Sequence, residues 1–181
     1  MTLRKALDRL YMGSGAIASL LIAAICLLVT TQVIFNLITR FGGRSVNLTI
    51  PSYGDFAGYF LAASSFLALA YTLTQGGHIR VNLVLTRLPS RVRQVAEALS
   101  MITCAAVSFY ATFYMAKLCL ESYEFGDLSY GIIAVPLWIP QCVVLLGLVI
   151  FSIALVDCAY RTIVGRESIF EAAKTVSNGN E

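Results

Sequence analysis

Few residues of this 181-residue chain have side chains that do chemistry, and they form no catalytic group. A metal site needs several ligands, but His78 is the single histidine, and this also argues against a haem held by two histidines. We interpret the five cysteines as small apolar packing residues, since they show no Cys-x-x-Cys spacing. They are Cys26, Cys104, Cys119, Cys142 and Cys158. The sequence therefore predicts no cofactor, no metal site and no enzyme activity.

Two amide side chains lie inside the first apolar stretch. Gln32 and Asn36 are four residues apart, on one face of a helix. An amide buried in a membrane needs a hydrogen-bond partner, so we predict that this pair packs helices together, within this chain or against another subunit. Earlier in the same stretch, Gly15, Ser19 and Ala23 recur every four residues, which permits close helix approach.

The composition is that of a membrane protein. Hydrophobic residues make up 58% of the chain, charged residues 13%, and the mean hydropathy is +0.78. Four stretches of at least 19 residues contain no Asp, Glu, Lys or Arg, about the length that an α-helix needs to cross a bilayer. They lie between Arg9 and Arg40, Asp55 and Arg80, Glu97 and Lys117, and Asp127 and Asp157. We predict an all-α integral membrane protein with four transmembrane helices.

The residues around these stretches divide the single membrane domain, 1–181, into segments. Leucines and charged residues over the first turns have the pattern of a short amphipathic helix in the membrane interface. That helix is predicted at 3–11, the spans at 12–39, 56–75, 98–117 and 132–157, a loop at 76–97 and a tail at 158–181.

Further candidates for helix packing lie in the second and fourth spans. Gly58 and Ala62 are one turn apart, where small side chains let a neighbouring helix approach. Pro136 falls in the predicted first turn of the fourth span, where a missing N–H costs little, and Pro140 is expected to bend that helix. Trp138 is expected at the membrane interface, where tryptophan is enriched.

The distribution of basic residues predicts the orientation. With a cytoplasmic N-terminus, ten of the thirteen Lys and Arg residues fall on cytoplasmic segments. The three outside are Arg40, Arg44 and Lys117. Since cytoplasmic loops are enriched in Lys and Arg, both termini are predicted in the cytoplasm. The net charge of +3 thus follows from topology, and no nucleic-acid partner is predicted.

The predicted cytoplasmic loop holds a short polar motif between the two hydrophobic halves. Gly77 and its neighbour end the second span, because glycine supplies the conformation of a helix C-cap. His78 and Arg80 then emerge at the level of the phospholipid headgroups, where a helix C-terminus favours positive charge. Asn82, Pro89 and Arg91 complete the motif.

The predicted outer loop after the third span is acidic. It contains Glu121, Glu124 and Asp127 beside Lys117. Such a cluster is either a solvated face or a docking site for a basic patch on an extracytoplasmic partner.

The spans lack the features that mark a transport pathway. Their interiors hold no Asp, Glu, Lys or Arg, and no discontinuous helices recur in the two halves. This favours a helper subunit that packs against a larger protein. The alternative is a free-standing homo-oligomeric exporter or channel, for which Gln32, Asn36 and Gln141 are the candidate polar residues.

The order of the motifs resembles a known family. Gly77-His78-Ile79-Arg80-Val81 is followed by Leu88-Pro89 and Arg91, with Arg40 closing the first span and Pro136-x-Trp138 opening the fourth. This arrangement, over about residues 10 to 160, resembles the small membrane subunit, the DctQ type, of tripartite ATP-independent periplasmic (TRAP) transporters.

Two positions depart from the family pattern. The family often has Asp where this chain has Asn82, and Trp-x-Glu-Glu where this chain has Tyr53-Gly54-Asp55. Asp55 is expected to keep one of the acidic roles, and the tryptophan has no counterpart here.

The resemblance implies a role in the bacterial inner membrane. Such subunits pair with a large membrane subunit that holds the sodium and substrate sites and moves as an elevator. A periplasmic binding protein delivers an organic acid, such as a C4-dicarboxylate or a sialic acid. His78 and Arg80 are then expected to contact phospholipids or the large subunit. The expected outer-face contacts are Arg40, Asp55, Glu121, Glu124 and Asp127.

Overall fold

The computed structural model describes residues 2–41, 48–75 and 90–164. These residues form four helices: α1 (Thr2–Phe41), α2 (Tyr53–Thr74), α3 (Ser90–Phe125) and α4 (Trp138–Val164). By length and apolar composition, each could cross a membrane. The predicted all-α fold is confirmed, and it contains the expected four helices that are long and apolar enough to span a membrane.

Helix α1 is continuous from Thr2 to Phe41, so residues 3–11 prolong the first span and no separate interfacial helix is seen there. Its 40 residues correspond to about 60 Å, roughly twice the thickness of the hydrocarbon layer. The helix is therefore longer than one membrane crossing requires, and Arg4, Lys5 and Arg9 are exposed in its charged first turns. At the other end, Arg40 lies in the last turn, where a cation interacts favourably with the helix dipole.

Helix α3 is longer than its predicted span. It is already helical at Ser90 and continues to Phe125, whereas the span was predicted at 98–117. Gly126, with φ +67°, ends the helix, and the Asp127 N–H bonds the Ser122 carbonyl at 3.0 Å. This is the Schellman arrangement, in which glycine takes the left-handed position after the last helical turn.

Helix α4 begins at Trp138, six residues after the predicted start at 132. Residues 127–137 form a small hairpin instead, with an isolated bridge between Leu128 and Pro136. Its backbone bonds run from the Leu137 N–H to the Asp127 carbonyl and from the Ser129 N–H to the Val135 carbonyl, both at 2.9 Å. Pro136 therefore precedes the helix. Pro140 lies in the first turn of α4, where a residue has no helical hydrogen bond to lose. The bend that was expected at Pro140 therefore has no physical cause there.

The helices pack in the order α1, α2, α4, α3, as a row. Helix α2 packs against α1 and α4, and α4 packs against α3; α1 meets α4 only briefly, and α1 and α3 form no extensive contact in the described residues. In the apolar 18-residue stretch of α4, half of the residues are buried inside the protein, whereas in that of α1 only 11% are buried. Helix α4 is thus central, and α1 and α3 are the two flanks.

We call the end with Phe41, Tyr53, Phe125 and Trp138 the outer end, and the opposite end the inner end. The main apolar core lies in the inner half, where residues of all four helices meet. Its most buried members are Tyr11, Ala18, Leu67, Ala70, Ala154 and Leu155. The outer half is joined mainly by loops and polar contacts, described below.

Two glycines allow the closest helix approaches. A Cβ on Gly147 of α4 would lie 2.8 Å from the Phe66 carbonyl carbon and 3.0 Å from the Leu67 nitrogen of α2. A Cβ on Gly15 of α1 would lie 2.7 Å from the Tyr71 ring. Gly58, predicted for packing, has no such neighbour within 4 Å, so it is not at a contact between described helices.

A buried hydroxyl pair joins α3 to α4. Ser108 Oγ and Ser152 Oγ are 2.7 Å apart, and both residues are buried. The Ser152 hydroxyl also donates to the Leu148 carbonyl at 2.9 Å, so Ser108 is the donor within the pair. Hydrogen bonds of this kind hold membrane helices together, since lipid provides no competing partner.

Replacing Gly147 should weaken the α2–α4 contact. Gly147→Ala puts a methyl group against the Phe66 backbone, which cannot rotate away as a side chain would. We expect destabilisation of about 1–3 kcal/mol, measured as a lower thermal unfolding midpoint of the purified protein in detergent. The control Gly58→Ala meets nothing within 4 Å and should be neutral or stabilising. Equal midpoints for the two variants would contradict the packing described here.

Candidate interaction surfaces

Gln32 connects α1 to the segment before α2. Its side chain is 3% exposed. Its Nε2 donates to Asn36 Oδ1 at 3.1 Å, and its Oε1 accepts the Ile50 N–H at 2.9 Å. The partner expected on a neighbouring helix is thus a backbone group of the α1–α2 connection, and Asn36 itself is exposed. The amide pair positions a loop.

A second contact joins that connection to the 127–137 hairpin. Ser52 precedes α2 in the left-handed conformation, φ 58°, and its hydroxyl makes no helix cap. The hydroxyl instead accepts the Ile133 N–H at 3.0 Å. At Gly131 a Cβ would overlap the Ser52 hydroxyl and the Asp55 carboxylate, so the hairpin backbone lies against the start of α2. We call residues 48–55 and 126–137 together the outer platform.

The structure divides the five predicted outer-face residues among three places. Glu121 and Glu124 are exposed near the end of α3, three residues apart and therefore neighbours on the helix surface, and exposed Asp127 follows at once. Asp55 is half-buried against the hairpin. Arg40 is exposed on α1, at the opposite flank of the row. The three acids of the α3 end thus form one patch without Arg40.

The two flanks differ in the side chains that line one exposed face of each helix. Helix α1 exposes small residues at spacings of three and four, which form a seam along one face. They are Ala16, Ser19, Ala23, Cys26 and Thr30. Helix α3 exposes aromatic residues instead: Phe109, Tyr110, Phe113 and Tyr114. The ring centroids of Tyr110 and Tyr114 are 4.6 Å apart, so this flank presents a continuous aromatic surface.

An open, largely apolar groove lies in the inner half, beside Asp157. Helices α1, α3 and α4 all contribute to it. Its lining residues are Leu7, Phe109, Ile153, Val156, Asp157 and Tyr160.

The described residues offer no site for catalysis by a metal. Among them, no group of three or more His, Cys, Asp or Glu could hold a metal ion. The predicted loop motif cannot be compared, because Gly77, His78, Arg80, Asn82 and Pro89 lie outside the described residues. Arg91 lies in the first turn of α3. The surfaces that remain are suited to binding partners or lipid.

Several residues that shape these surfaces carry no signal in the sequence. Ser52 and Gly131 are in contact although they are 79 residues apart in the sequence, and the residues around either one do not indicate the other. Likewise Cys119 and Cys142, interpreted separately as packing residues, have their Sγ atoms 2.9 Å apart between α3 and α4. Lys117 and Trp138 could have indicated only that both cysteines lie near the outer end.

The comparisons with known proteins identify one family. The chain matches the family described as "Tripartite ATP-independent periplasmic transporters, DctQ component" over residues 25–165. No curated protein and no solved structure matches it.

Removing the Gln32 amide should loosen the outer platform. Gln32→Leu leaves the Ile50 N–H without its acceptor, which costs about 1–3 kcal/mol where the group stays away from water. We expect faster amide hydrogen exchange at 48–52, measured by mass spectrometry. Thr31→Val is the control, because the Thr31 hydroxyl bonds only the Leu27 carbonyl of its own helix. Identical exchange in Gln32→Leu and Thr31→Val would contradict the assignment.

Proposed function

The chain belongs to the DctQ family, the small membrane component of TRAP transporters, and on this premise we propose that it braces the large subunit of a sodium-coupled transporter for organic acids. The family match over residues 25–165 carries the proposal. Members of this family work with a large membrane subunit and a substrate-binding protein in the inner membrane. Four apolar helices agree with a multi-pass protein there.

We propose that the large subunit binds the α1 flank. Between membrane helices the hydrophobic effect is weak, since lipid is as apolar as the side chains, and close packing of small residues drives association. The exposed seam of α1, centred on Ala23, has such residues, and the α1 helix buries least within its own chain. A large subunit bound along α1 would gain the four helices of this chain as an extension of its own fixed scaffold.

The α3 flank is proposed to face lipid. Its exposed residues are bulky, and Tyr110 and Phe113 leave no room for the close backbone approach that a small-residue seam permits. The inner groove beside Tyr160 is open and apolar, which suits a lipid acyl chain. His78 and Arg80 are proposed to meet phospholipid headgroups or the large subunit at the same membrane face, with both termini cytoplasmic.

The outer platform and the adjoining acids are proposed to help dock the periplasmic binding protein. Glu121, Glu124 and Asp127 project from one end of the helix row, and a basic patch on the partner would complement them. Contacts at Ser52 and Gly131 hold the hairpin that follows these acids against α2. A docking surface that must bind and release repeatedly benefits from such a fixed support.

Co-purification tests the brace. The chain, tagged and expressed with the genes next to its own, should bring down a large hydrophobic membrane protein at equal stoichiometry. Ala23→Trp should reduce recovery of that partner several-fold, because the bulky ring fills the α1 seam. Ala106→Trp, on the exposed side of α3, is the matched control and should leave recovery unchanged.

Two outcomes would count against this proposal. Equal recovery with Ala23→Trp and Ala106→Trp would remove the α1 flank as the interface while leaving the complex itself intact. Purification of the chain alone as a homo-oligomer would favour the exporter or channel reading, and Gln32, Asn36 and Gln141 would then be tested as pore residues.

Charge reversal tests the docking surface. Glu124→Lys should slow association of the binding protein with the membrane complex several-fold at low salt, because like charges then oppose encounter. Surface plasmon resonance on complexes in lipid nanodiscs measures this rate, and added salt should reduce the difference. Asp8→Lys makes the same charge change at an exposed acid of the inner end. If both variants slowed association equally, the α3 acids would not be the docking site.

A further inference from the structure

Two cysteines that are far apart in the sequence meet between α3 and α4. The Sγ atoms of Cys119 and Cys142 are 2.9 Å apart. Cys119 is 7% exposed and Cys142 is half-buried, so one thiol is enclosed and the other is partly open to its surroundings. A disulfide requires sulfur atoms about 2.0 Å apart, so the two sulfur atoms must approach by about 1 Å more.

The pair lies near the outer end of α3 and α4. Cys142 is the fifth residue of α4, about 6 Å along the axis from the helix start at Trp138. Lys117 ends the charge-free stretch of α3 before Cys119 is reached, so this thiol lies beyond the uncharged part of the span. Trp138, whose carbonyl is 3.7 Å from Cys119 Sγ, packs its ring edge-on against Tyr123, as aromatic residues at interfaces do.

The other three cysteines have different surroundings. Cys26 and Cys104 are exposed on α1 and α3 within the charge-free stretches, and Cys158 is buried near the inner end. Of these three, Cys158 has the buried position that suits the packing role predicted for all five cysteines, whereas Cys26 and Cys104 do not pack within the described chain.

We propose that Cys119 and Cys142 form a disulfide on the periplasmic side of the membrane. The inference rests on the proposed orientation, which makes the outer end periplasmic. That compartment is oxidising, so a thiol pair held together there persists as a disulfide, whereas cytoplasmic thiols stay reduced. The bond adds a covalent tie across the 127–137 hairpin, which carries Gly131 of the outer platform.

The oxidant is a protein disulfide of the thiol-oxidase class. The Cys142 thiolate, the more exposed of the two, attacks one sulfur of that disulfide and releases one thiolate of the oxidant. The Cys119 thiolate then attacks the Cys142 sulfur of the mixed disulfide and releases the second thiolate. The two cysteine protons pass through solvent to the two released thiolates. Two thiols of the chain are oxidised and one external disulfide is reduced.

Counting free thiols tests the proposal on the complete chain in its native membrane. Membranes are quenched in acid, dissolved in denaturant and treated with polyethylene-glycol maleimide. This reagent forms one adduct with each free thiol, and each adduct shifts the band to a higher apparent mass in a gel. The wild-type chain, with five cysteines, should carry three adducts without reductant and five after reduction. Cys119→Ser and Cys142→Ser should each carry four adducts in both conditions. The control Cys104→Ser should rise from two to four.

Five adducts without reductant in the wild-type chain would overturn the disulfide. A gain on reduction that persists in both Cys119→Ser and Cys142→Ser would overturn this pairing. An alkaline phosphatase reporter inserted in the 127–137 hairpin locates the cause of such a failure. Alkaline phosphatase is active only in the periplasm. An active reporter therefore means that the hairpin is periplasmic and the two thiols do not pair, and an inactive reporter means that the proposed orientation is wrong. Neither result alters the co-purification test of the brace.

Discussion

The close approach of α2 and α4 at Gly147 holds the row of helices together. Helix α1 packs mainly on α2, and α3 packs on α4, so the two helix pairs are joined chiefly through this contact. A bilayer offers no hydrophobic gain for pressing helices together, which leaves dispersion contacts and hydrogen bonds to do so. Both depend steeply on distance, and a glycine lets the backbones come close enough for the core around Ala154 and Leu155 to form.

Polar contacts take over where that core ends. In the outer half the helices are linked through Gln32 and Ile50, and through Ser52 and Ile133, each pair combining a side chain with a backbone N–H. Backbone N–H groups in loops have no helical partner, and these side chains accept their hydrogen bonds. The connection before α2 and the 127–137 hairpin are thereby fixed to each other, so the outer end has one defined surface although its helices bury little apolar area there.

A row of helices leaves more surface for other molecules than a closed bundle would. Each inner member of the row is covered on two sides, and each flank on one, so α1 and α3 must be covered by lipid or protein. The difference between the small residues around Ala23 and the aromatic residues around Phe113 assigns these roles in the proposed function. In the proposed function such a subunit stabilises its partner through shape, which fits a chain whose spans hold no Asp, Glu, Lys or Arg in their interiors.

The sequence by itself determined the four apolar spans, the acidic character of the α3 end and the motif order that resembles the DctQ family. These properties depend on the hydropathy and charge of neighbouring residues along the chain, which also determine how a segment partitions into a bilayer. The start of α4 was predicted too early, because the backbone bonds of the hairpin around Pro136 outweigh an apolar composition that is equally compatible with helix. Only the tertiary structure decided the order of the helices, the contact of Gly147 with Phe66 and the meeting of Cys119 with Cys142. Such contacts join residues that are remote in sequence, and they depend on which faces of two helices meet, which no local pattern records.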